Sequence, residues 1–236
     1  MGGEVVGYDI TYHPISEKEI EEWYFDIFLN KEKIDTLAKE YNMDDFYKNK
    51  YTNCIMAGLQ VDDRKIFDKT HGFYIAIVQG FFRKFFYTRG SAFSFLIEEN
   101  NDFIKYTKKW EDIISRKIKN KTNNRITENY CSGIYIPFEG VVKLLEDYNT
   151  KDKIKDSLNS YYSHNRINVF IKALEYSKNN KLGLLEATEA VKPNPNDLNK
   201  STGYTNFWNC DHDGPELYQE AVAEQLDEIK KKIERE

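Results

Sequence analysis

The sequence predicts a mainly helical α+β fold: one multi-helix domain over residues 1–236, with a few short strands that include one near the N-terminus. Three observations support this prediction. Apolar residues recur at helical spacing through most of the chain, while one N-terminal segment alternates with the period of a strand. No linker rich in proline and glycine divides the helical part of the chain. With 40% hydrophobic and 15% aromatic residues, the chain can form a substantial core.

The first element is a predicted strand over residues 6–12. Apolar residues alternate there with Asp9 and Thr11, which is the period of a half-buried strand. His13 continues the polar face, and Pro14 ends the strand. This pattern predicts that Asp9, Thr11 and His13 share one face.

Helices follow as far as residue 88. Ser16 and Glu19 form a Ser-x-x-Glu capping box, which predicts the start of a helix. Two further helices are expected between residues 31 and 51, the second capped by Asp44. Residues 54–61 fit either a strand or a helix. Residues 71–88 are apolar on more than one side and predict the central buried helix.

The middle of the chain predicts a peripheral helix, a loop and a second strand. The helix is marked by apolar residues opposite a face rich in Lys and Glu: Phe103, Tyr106, Trp110, Ile113 and Ile114. Residues 117–125 are basic and polar and predict an exposed loop, with phosphate binding as the alternative. Residues 130–136 fit a short strand, after which Pro137 starts a helix.

The C-terminal third predicts a helix pair, a long loop and a last helix. The pair lies between residues 151 and 190 and is joined through residues 161–164. Residues 191–214 form the long irregular loop, and loops of this length are often functional. The last helix covers residues 215–234, with Pro215 and Glu216 in its first turn. Its apolar stripe is expected to contact the rest of the domain or a partner: Tyr218, Val222, Leu226, Ile229 and Ile233.

Charge and cysteine content narrow the class of protein. The 34 basic and 39 acidic side chains are interspersed and give a net charge of −5, which disfavours nucleic-acid and membrane partners. No apolar run approaches the roughly 18 residues of a membrane-spanning helix, and residues 1–12 lack the pattern of a secretory signal. Cys54, Cys131 and Cys210 are far apart, as expected of reduced thiols. The sequence therefore predicts a cytoplasmic protein.

A metal site is one hypothesis for the cluster Cys210-Asp211-His212-Asp213. Oxygen and imidazole ligands beside a loop-to-helix junction can hold a divalent cation, and Asp211, His212 and Asp213 are the candidate ligands. The alternative is that Asp211 or Asp213 caps the last helix through a backbone N–H group. The spacing matches no standard metal signature, so the sequence requires no cofactor.

Asp9 and His13 extend this hypothesis to a catalytic site. If the two chain ends meet, Asp9, His13, Asp211, His212 and Asp213 could surround one cation and support a metal-dependent hydrolase, because a carboxylate can orient an imidazole as a general base. The alternative for His13 is a packing or surface role. The chain lacks the motifs of serine hydrolases, P-loop proteins and dinucleotide-binding proteins.

Aromatic residues suggest a protein interface instead. The 17 tyrosines and 15 phenylalanines exceed what a helical core of this size needs. Five aromatic residues lie at inferred loops or helix ends, where they either anchor a partner or hold the loops on the core: Tyr161, Tyr162, Tyr204, Phe207 and Trp208.

Residues 186–218 resemble uncharacterised bacterial proteins of the kind found near secreted-toxin loci. The stretches that carry the resemblance are residues 187–191, 196–202 and 206–211. The resemblance implies no catalytic residue. It favours a cytoplasmic protein that binds another protein, such as a toxin-neutralising immunity protein or inhibitor, through an acidic and aromatic surface. The metal-dependent hydrolase is the alternative.

Overall fold

A four-stranded antiparallel sheet lies in the middle of the fold. The computed structural model describes residues 7–61, 69–113 and 132–234. The strands are β1 (Asp9–Ile15), β2 (Phe86–Arg89), β3 (Ser132–Ile136) and β4 (Gly183–Thr188). They pair in the order β2-β1-β4-β3, so the N-terminal strand is central and its neighbours come from distant parts of the chain.

Helices cover both faces of this sheet, which confirms the predicted mainly helical α+β class. On one face lie α1, α2 (Lys33–Glu40), α3 (Asp45–Gly58) and α4 (His71–Phe82). Helix α1 consists of three consecutive segments, Glu17–Ile20, the π-helical Glu21–Phe25, and Asp26–Leu29. The other face carries α5 (Phe93–Glu99), α6 (Phe138–Thr150), α7 (Asp152–Tyr161) and α8 (Arg166–Asn179).

Strand β1 is buried on both faces, so the expectation of a half-buried strand is wrong. The predicted alternation itself is present: Ile10 and Tyr12 belong to the core under α5 to α8, and His13 contacts α4 on the opposite face. All seven residues of β1 are buried because helices cover the polar face as well. The polar side chains of β1 therefore need hydrogen-bond partners inside the protein.

Two helix starts agree with their predicted caps. The Ser16 hydroxyl accepts from the backbone N–H of Glu19, while the Glu19 carboxylate accepts from the backbone N–H of Ser16. The Asp44 carboxylate accepts from the N–H of Tyr47 at the start of α3. Residues 54–58, for which helix and strand both remained open, belong to α3.

Helix α4 ends at Phe82, whereas the apolar pattern predicted a helix as far as residue 88. Arg83 is fully extended, and residues 86–89 form β2 against β1. Both elements are buried and rich in apolar residues on either side of Arg83 and Lys84, and therefore periodicity could not separate them. The turn between them is fixed by Gln79, whose amide donates to the carbonyl of Lys84 at 3.0 Å.

The helix predicted over residues 103–114 is wrong for the described residues. This part of the chain forms two 3₁₀ segments, Asn101–Tyr106 and Trp110–Asp112, separated by an extended Thr107. The N–H of Lys108 donates to the carbonyl of Tyr135, so this segment covers the outer edge of β3. Ile114 and the loop predicted at residues 117–125 lie outside the described residues.

The second predicted strand is confirmed over β3, and Pro137 precedes α6 as expected. The segment between α8 and residue 190 differs from its prediction, since residues 183–188 form β4 rather than the end of a helix. Both faces of β4 are buried, so its sequence lacks the alternation that marks a half-exposed strand.

The long loop of residues 191–214 contains a small hairpin. Strands β5 (Val191–Lys192) and β6 (Thr202–Gly203) pair, and the 3₁₀ segments Leu198–Lys200 and Phe207–Asn209 lie inside and after the hairpin. Helix α9 (Asp213–Ile233) follows, two residues earlier than predicted. None of the helices in the described ranges combines the length and apolar character needed to cross a membrane.

Helix α9 contacts the rest of the protein through its first half. Gly214 packs so closely on the backbone of Tyr87 that any side chain would collide there. Leu226, Ile229 and Ile233 are exposed, so the described structure leaves the distal part of the predicted apolar stripe largely uncovered.

Candidate functional site

His13 is a buried, neutral side chain. Its Nδ1 lies 2.6 Å from Oε1 of Gln79, and its ring stacks on Phe85 with centroids 5.0 Å apart. The Gln79 amide nitrogen donates to two carbonyls, so Oε1 is the acceptor and Nδ1 carries the proton. Burial lowers the pKa of His13 to about 4 despite this hydrogen bond. Nε2 is buried and has no partner in the described part of the chain.

Asp9 forms an internal ion pair. Its Oδ1 accepts from the Tyr87 hydroxyl at 2.7 Å and from Nη1 of Arg89 at 2.6 Å. Burial raises the pKa of Asp9, and this effect outweighs the lowering by the two hydrogen bonds. The carboxylate therefore holds β1 and β2 together, with both of its donors in β2.

Asp211 and Asp213 are also matched by cations. The Asp211 carboxylate accepts from Lys84 at 3.1 Å and from Lys172 at 2.8 Å, and Lys172 reaches Asp213 at 2.7 Å. Burial raises the pKa of Asp211, but the hydrogen bonds from the two lysines bring it below its ordinary value. The N–H of Asp213, the first residue of α9, donates to Asp211 at 3.3 Å. Asp211 therefore satisfies one N–H of the first turn, as in the alternative to metal binding, although His212 is the N-cap residue and makes no side-chain capping hydrogen bond.

The chain ends meet without forming a metal centre. The N–H of Asp211 donates to the carbonyl of Phe85, and the ring of Phe85 lies on His13, so the two segments do approach each other. His212, however, is exposed. Within residues 7–61, 69–113 and 132–234, no three His, Cys, Asp or Glu side chains are placed to hold a metal ion. The five candidates therefore do not surround a common metal position in the described structure.

Of the two roles that the sequence left open for Tyr161 and Tyr162, packing of the turn on the core is the one that their burial supports. Tyr162 is fully buried; its hydroxyl lies 2.8 Å from that of Tyr12, and its ring stacks on Phe170 at 4.7 Å. Tyr161 is half-buried and packs edge-on against Tyr162. Tyr162 is enclosed because the turn between α7 and α8 lies over the core that Tyr12 and Phe170 share.

The other three aromatic candidates lie at or near the surface. Trp208 is 80% exposed and Tyr204 is 49% exposed. Phe207 is half-buried and packs on the small cluster that contains Phe85 and Cys210. An indole this exposed is unusual, because burying a tryptophan side chain releases much of its apolar surface from water.

The backbone that carries Tyr204 and Trp208 is fixed to α4. The Thr205 hydroxyl donates to the carbonyl of Ile77 at 2.7 Å, and the Asn209 amide donates to the carbonyl of Gly80 at 3.0 Å. Thr205 fits against α4 because Gly80 has no side chain there. Asn206 caps the short turn by accepting from the N–H of Trp208 at 3.1 Å. The backbone that carries the exposed rings is therefore held in place by hydrogen bonds.

Lysines lie beside two exposed rings, those of Tyr204 and Phe46. Lys69 lies 3.0 Å from the Tyr204 hydroxyl and 4.5 Å from the centre of its ring. Lys50 lies 5.1 Å from the ring centre of Phe46, which is exposed, and donates to the carbonyl of Gly203. We refer to Phe46, Lys50, Lys69 and Tyr204 as the aromatic–lysine surface. Its charged groups are cations, so the expectation of an acidic surface is not met at this place.

Sequence reasoning missed Phe46, Lys50 and Lys69. Phe46 lies in the first turn of α3, two residues after the cap at Asp44. One signal was available: Phe46 and Lys50 are four residues apart, so on a helix the ammonium group can reach the ring. Lys69 is brought to Tyr204 only by the tertiary fold.

Glu186 is a further buried carboxylate that the sequence did not single out. It lies in β4, and its oxygens accept from the N–H groups of Phe93 and Ser94 at 2.5 and 3.3 Å. Burial raises the pKa of Glu186 to about 7, against the lowering effect of these hydrogen bonds. With 1% of its surface exposed, this carboxyl group is a structural link between β4 and α5.

Two of the three cysteines are described, Cys54 and Cys210, and both are free and buried, as the sequence predicted. Burial raises the pKa of each thiol, so neither is a reactive thiolate near neutral pH. Comparison with protein-family models, with curated proteins and with solved structures finds no match to this chain.

Proposed function

We propose that this chain binds another protein, as a stoichiometric inhibitor or a toxin-neutralising immunity protein does, and that Trp208 and the aromatic–lysine surface form the interface. The observation that supports this most strongly is the 80% exposed indole of Trp208 on a hydrogen-bonded backbone. Tryptophan and tyrosine are the residue types that dominate binding energy in protein interfaces. A fixed backbone reduces the entropy lost when they bind.

The charges near the rings indicate the chemistry of the partner. Lys50 and Lys69 would pair with carboxylates around an apolar pocket that receives Trp208 or Tyr204. Binding of this kind requires no catalytic group. This agrees with the internal pairing of Asp9 and Asp211 and with the enclosed ring of His13.

The test begins with three immobilised baits in extract of the native host: the wild type, Trp208→Ala and Leu29→Ala. Leu29 is a matched control, because it is also an exposed apolar side chain but lies at the end of α1. A protein retained by the wild type and by Leu29→Ala, but lost with Trp208→Ala, would be identified by mass spectrometry. Its affinity for purified protein would then be measured by calorimetry.

We expect Trp208→Ala and Tyr204→Ala to weaken this complex by at least about tenfold each. Lys69→Glu should slow association most at low salt, since the lysine steers an acidic partner. Unchanged affinity in both aromatic variants would refute the interface. Aromatic rings beside lysines can also stack on single-stranded nucleic acid. Saturable binding of a fluorescent oligonucleotide that depends on Trp208 would therefore identify nucleic acid, rather than a protein, as the partner.

A further inference from the structure

A second surface feature lies on the far side of β2 from the sheet centre. It is a cleft of about 220 Å³ between the end of β2, residues 163–166 and the first half of α9. Leu217, Tyr218 and Val222 of α9 give the cleft an apolar wall, and its lining also includes two arginines, Arg89 and Arg166. The cleft shares no residue with the aromatic–lysine surface, so what it binds is a separate question from the protein partner.

The two arginines that line this cleft give it unbalanced positive charge. Arg89 is paired with Asp9 and lies over the ring of Tyr218 at 4.8 Å. Arg166 donates instead to uncharged acceptors, the carbonyls of Ser163 and Arg89, both at 2.8 Å. Burial lowers the pKa of Arg166 from its ordinary value, the direction expected for a cation without a carboxylate beside it. None of the described residues lining the cleft is acidic.

Thr88 provides the second, independent observation. It lines the same cleft, its side chain is 2% exposed, and its hydroxyl has no hydrogen-bond partner among the described residues. A buried hydroxyl without a partner destabilises a fold, because no hydrogen bond compensates for its removal from water. An anionic oxygen in the cleft would accept from this hydroxyl while it contacts the guanidinium group of Arg166.

The apolar wall and the size of the cleft limit the rest of the ligand. Leu217, Tyr218 and Val222 offer contact for a short hydrocarbon or aromatic body. Sites for drug-sized molecules occupy about 300–1,000 Å³, so a ligand here is smaller. We propose that the cleft binds a small organic anion, with its carboxylate or phosphate at Arg166 and Thr88 and its apolar body against Leu217 and Val222.

The proposal is tested with four probes that separate charge from apolar surface: benzoate, phenyl phosphate, inorganic phosphate and benzyl alcohol. Binding is followed by changes in the protein's amide NMR signals during titration. Benzoate or phenyl phosphate should bind saturably at one site and shift the signals of Thr88 and Val222. Whichever of the two binds more tightly identifies a carboxylate or a phosphate as the preferred group. Inorganic phosphate and benzyl alcohol should bind at least about tenfold more weakly, since each lacks one half of the recognition.

Variants of Thr88 and Val222 separate binding from folding. Thr88→Val removes only the unpartnered hydroxyl, so the melting temperature should stay the same or rise while the affinity for the preferred probe falls about tenfold. Thr205→Val is the matched control, because it removes a hydroxyl that donates to Ile77 and should lower the melting temperature without affecting probe affinity. Val222→Trp should fill the cleft and abolish binding.

Arg166 is tested by two replacements. Arg166→Lys keeps the charge but loses the planar fork, and Arg166→Gln loses both, so affinity should decrease in that order. The proposal is overturned if neither aromatic anion binds saturably. It is equally overturned if Thr88→Val and Val222→Trp, with intact amide spectra, bind the probes as tightly as the wild type does.

Discussion

The ammonium group of Lys172 in α8 lies 2.8 Å from Oδ1 of Asp211, a buried residue two positions before the start of α9. Lys84, which precedes β2, contacts the other oxygen of the same carboxylate at 3.1 Å. One carboxylate therefore joins α8, the start of β2 and the start of α9. The 3₁₀ segment Phe207–Asn209, which carries Trp208, ends directly before this junction.

Replacing Asp211 with Asn should lower the free energy of unfolding by about 1–3 kcal/mol, because Lys84 loses its charged partner, Lys172 keeps only Asp213, and the acceptor for the N–H of Asp213 weakens. Urea denaturation at pH 7 measures this. Asp213→Asn is the control: its carboxylate is half-exposed and bonds the same Lys172, so the loss should stay below about 1 kcal/mol. Equal losses in the two variants would contradict the role given to Asp211.

His13 should make the protein less stable as the pH falls from 6.5 to 4. Its pKa in the folded state is about 4, below the ordinary 6.5, so the unfolded chain takes up the proton first and is favoured. His71, whose pKa burial also lowers to about 4, acts in the same direction. Each histidine can remove up to about 3 kcal/mol over this range.

His13→Asn retains a donor near Gln79 but does not titrate, so its free energy of unfolding should depend less on pH than that of the wild type. Urea denaturation at several values between pH 4 and 7 gives the two curves. If they run parallel, the buried His13 does not bear the pKa described.

Glu186 should make the protein less stable as the pH rises, the opposite of the effect of His13. Its pKa in the folded state is about 7, above the ordinary 4.5, so the folded protein holds a proton that the unfolded chain has lost between these values. Stability from this group is full below pH 4.5 and decreases by up to about 3 kcal/mol as the pH rises to 7.

Glu186→Gln removes the titration, so the variant should gain stability relative to the wild type between pH 5 and pH 8, whatever its absolute stability. Denaturation of both proteins at these two values provides the difference. If the difference in unfolding free energy between the two proteins is the same at both pH values, Glu186 does not retain its proton in the folded state.

The distal part of α9 should contribute little to folding. Ile229 is 52% exposed, so Ile229→Gln should change the free energy of unfolding by less than about 0.5 kcal/mol. Leu144→Ala in α6, at a fully buried position, should cost about 2–5 kcal/mol in the same assay. A large loss in Ile229→Gln would mean that this face is covered in solution.

Trp208 should dominate the quenching of tryptophan fluorescence by acrylamide. The protein has three tryptophans, and Trp23 and Trp110 are each 2% exposed. Trp208→Phe should therefore remove most of the quenchable emission, shift the remaining spectrum to shorter wavelength and leave the melting temperature unchanged. Strong quenching that persists in the variant would place another indole at the surface.

Local chemistry predicted much of the fold. The capping box of Ser16 and Glu19 and the cap at Asp44 marked helix starts, because these hydrogen bonds join residues three apart. Strand β4 was missed, because burial on both faces removes the alternation that identifies a strand.

The candidate site was less predictable, because its contacts join residues far apart in the chain. Trp208 and Tyr204 are exposed, whereas Tyr162, for which the sequence left both a surface role and a packing role open, lies inside the core with its hydroxyl next to that of Tyr12. The position of a tyrosine at a helix end does not reveal which element lies above it. Likewise, Asp9 and Asp211 gain their cationic partners only when β2 and α8 are in place.

The central position of β1 has a consequence for synthesis on the ribosome. Ile10 pairs with Thr88 on one side and with Thr188 on the other, so β1 cannot complete its pairing until residue 188 has emerged. Until then it presents an unpaired edge next to apolar side chains, the kind of surface that chaperones protect in nascent chains. Translation pauses or truncations before residue 188 would therefore leave an aggregation-prone fragment rather than a smaller folded domain.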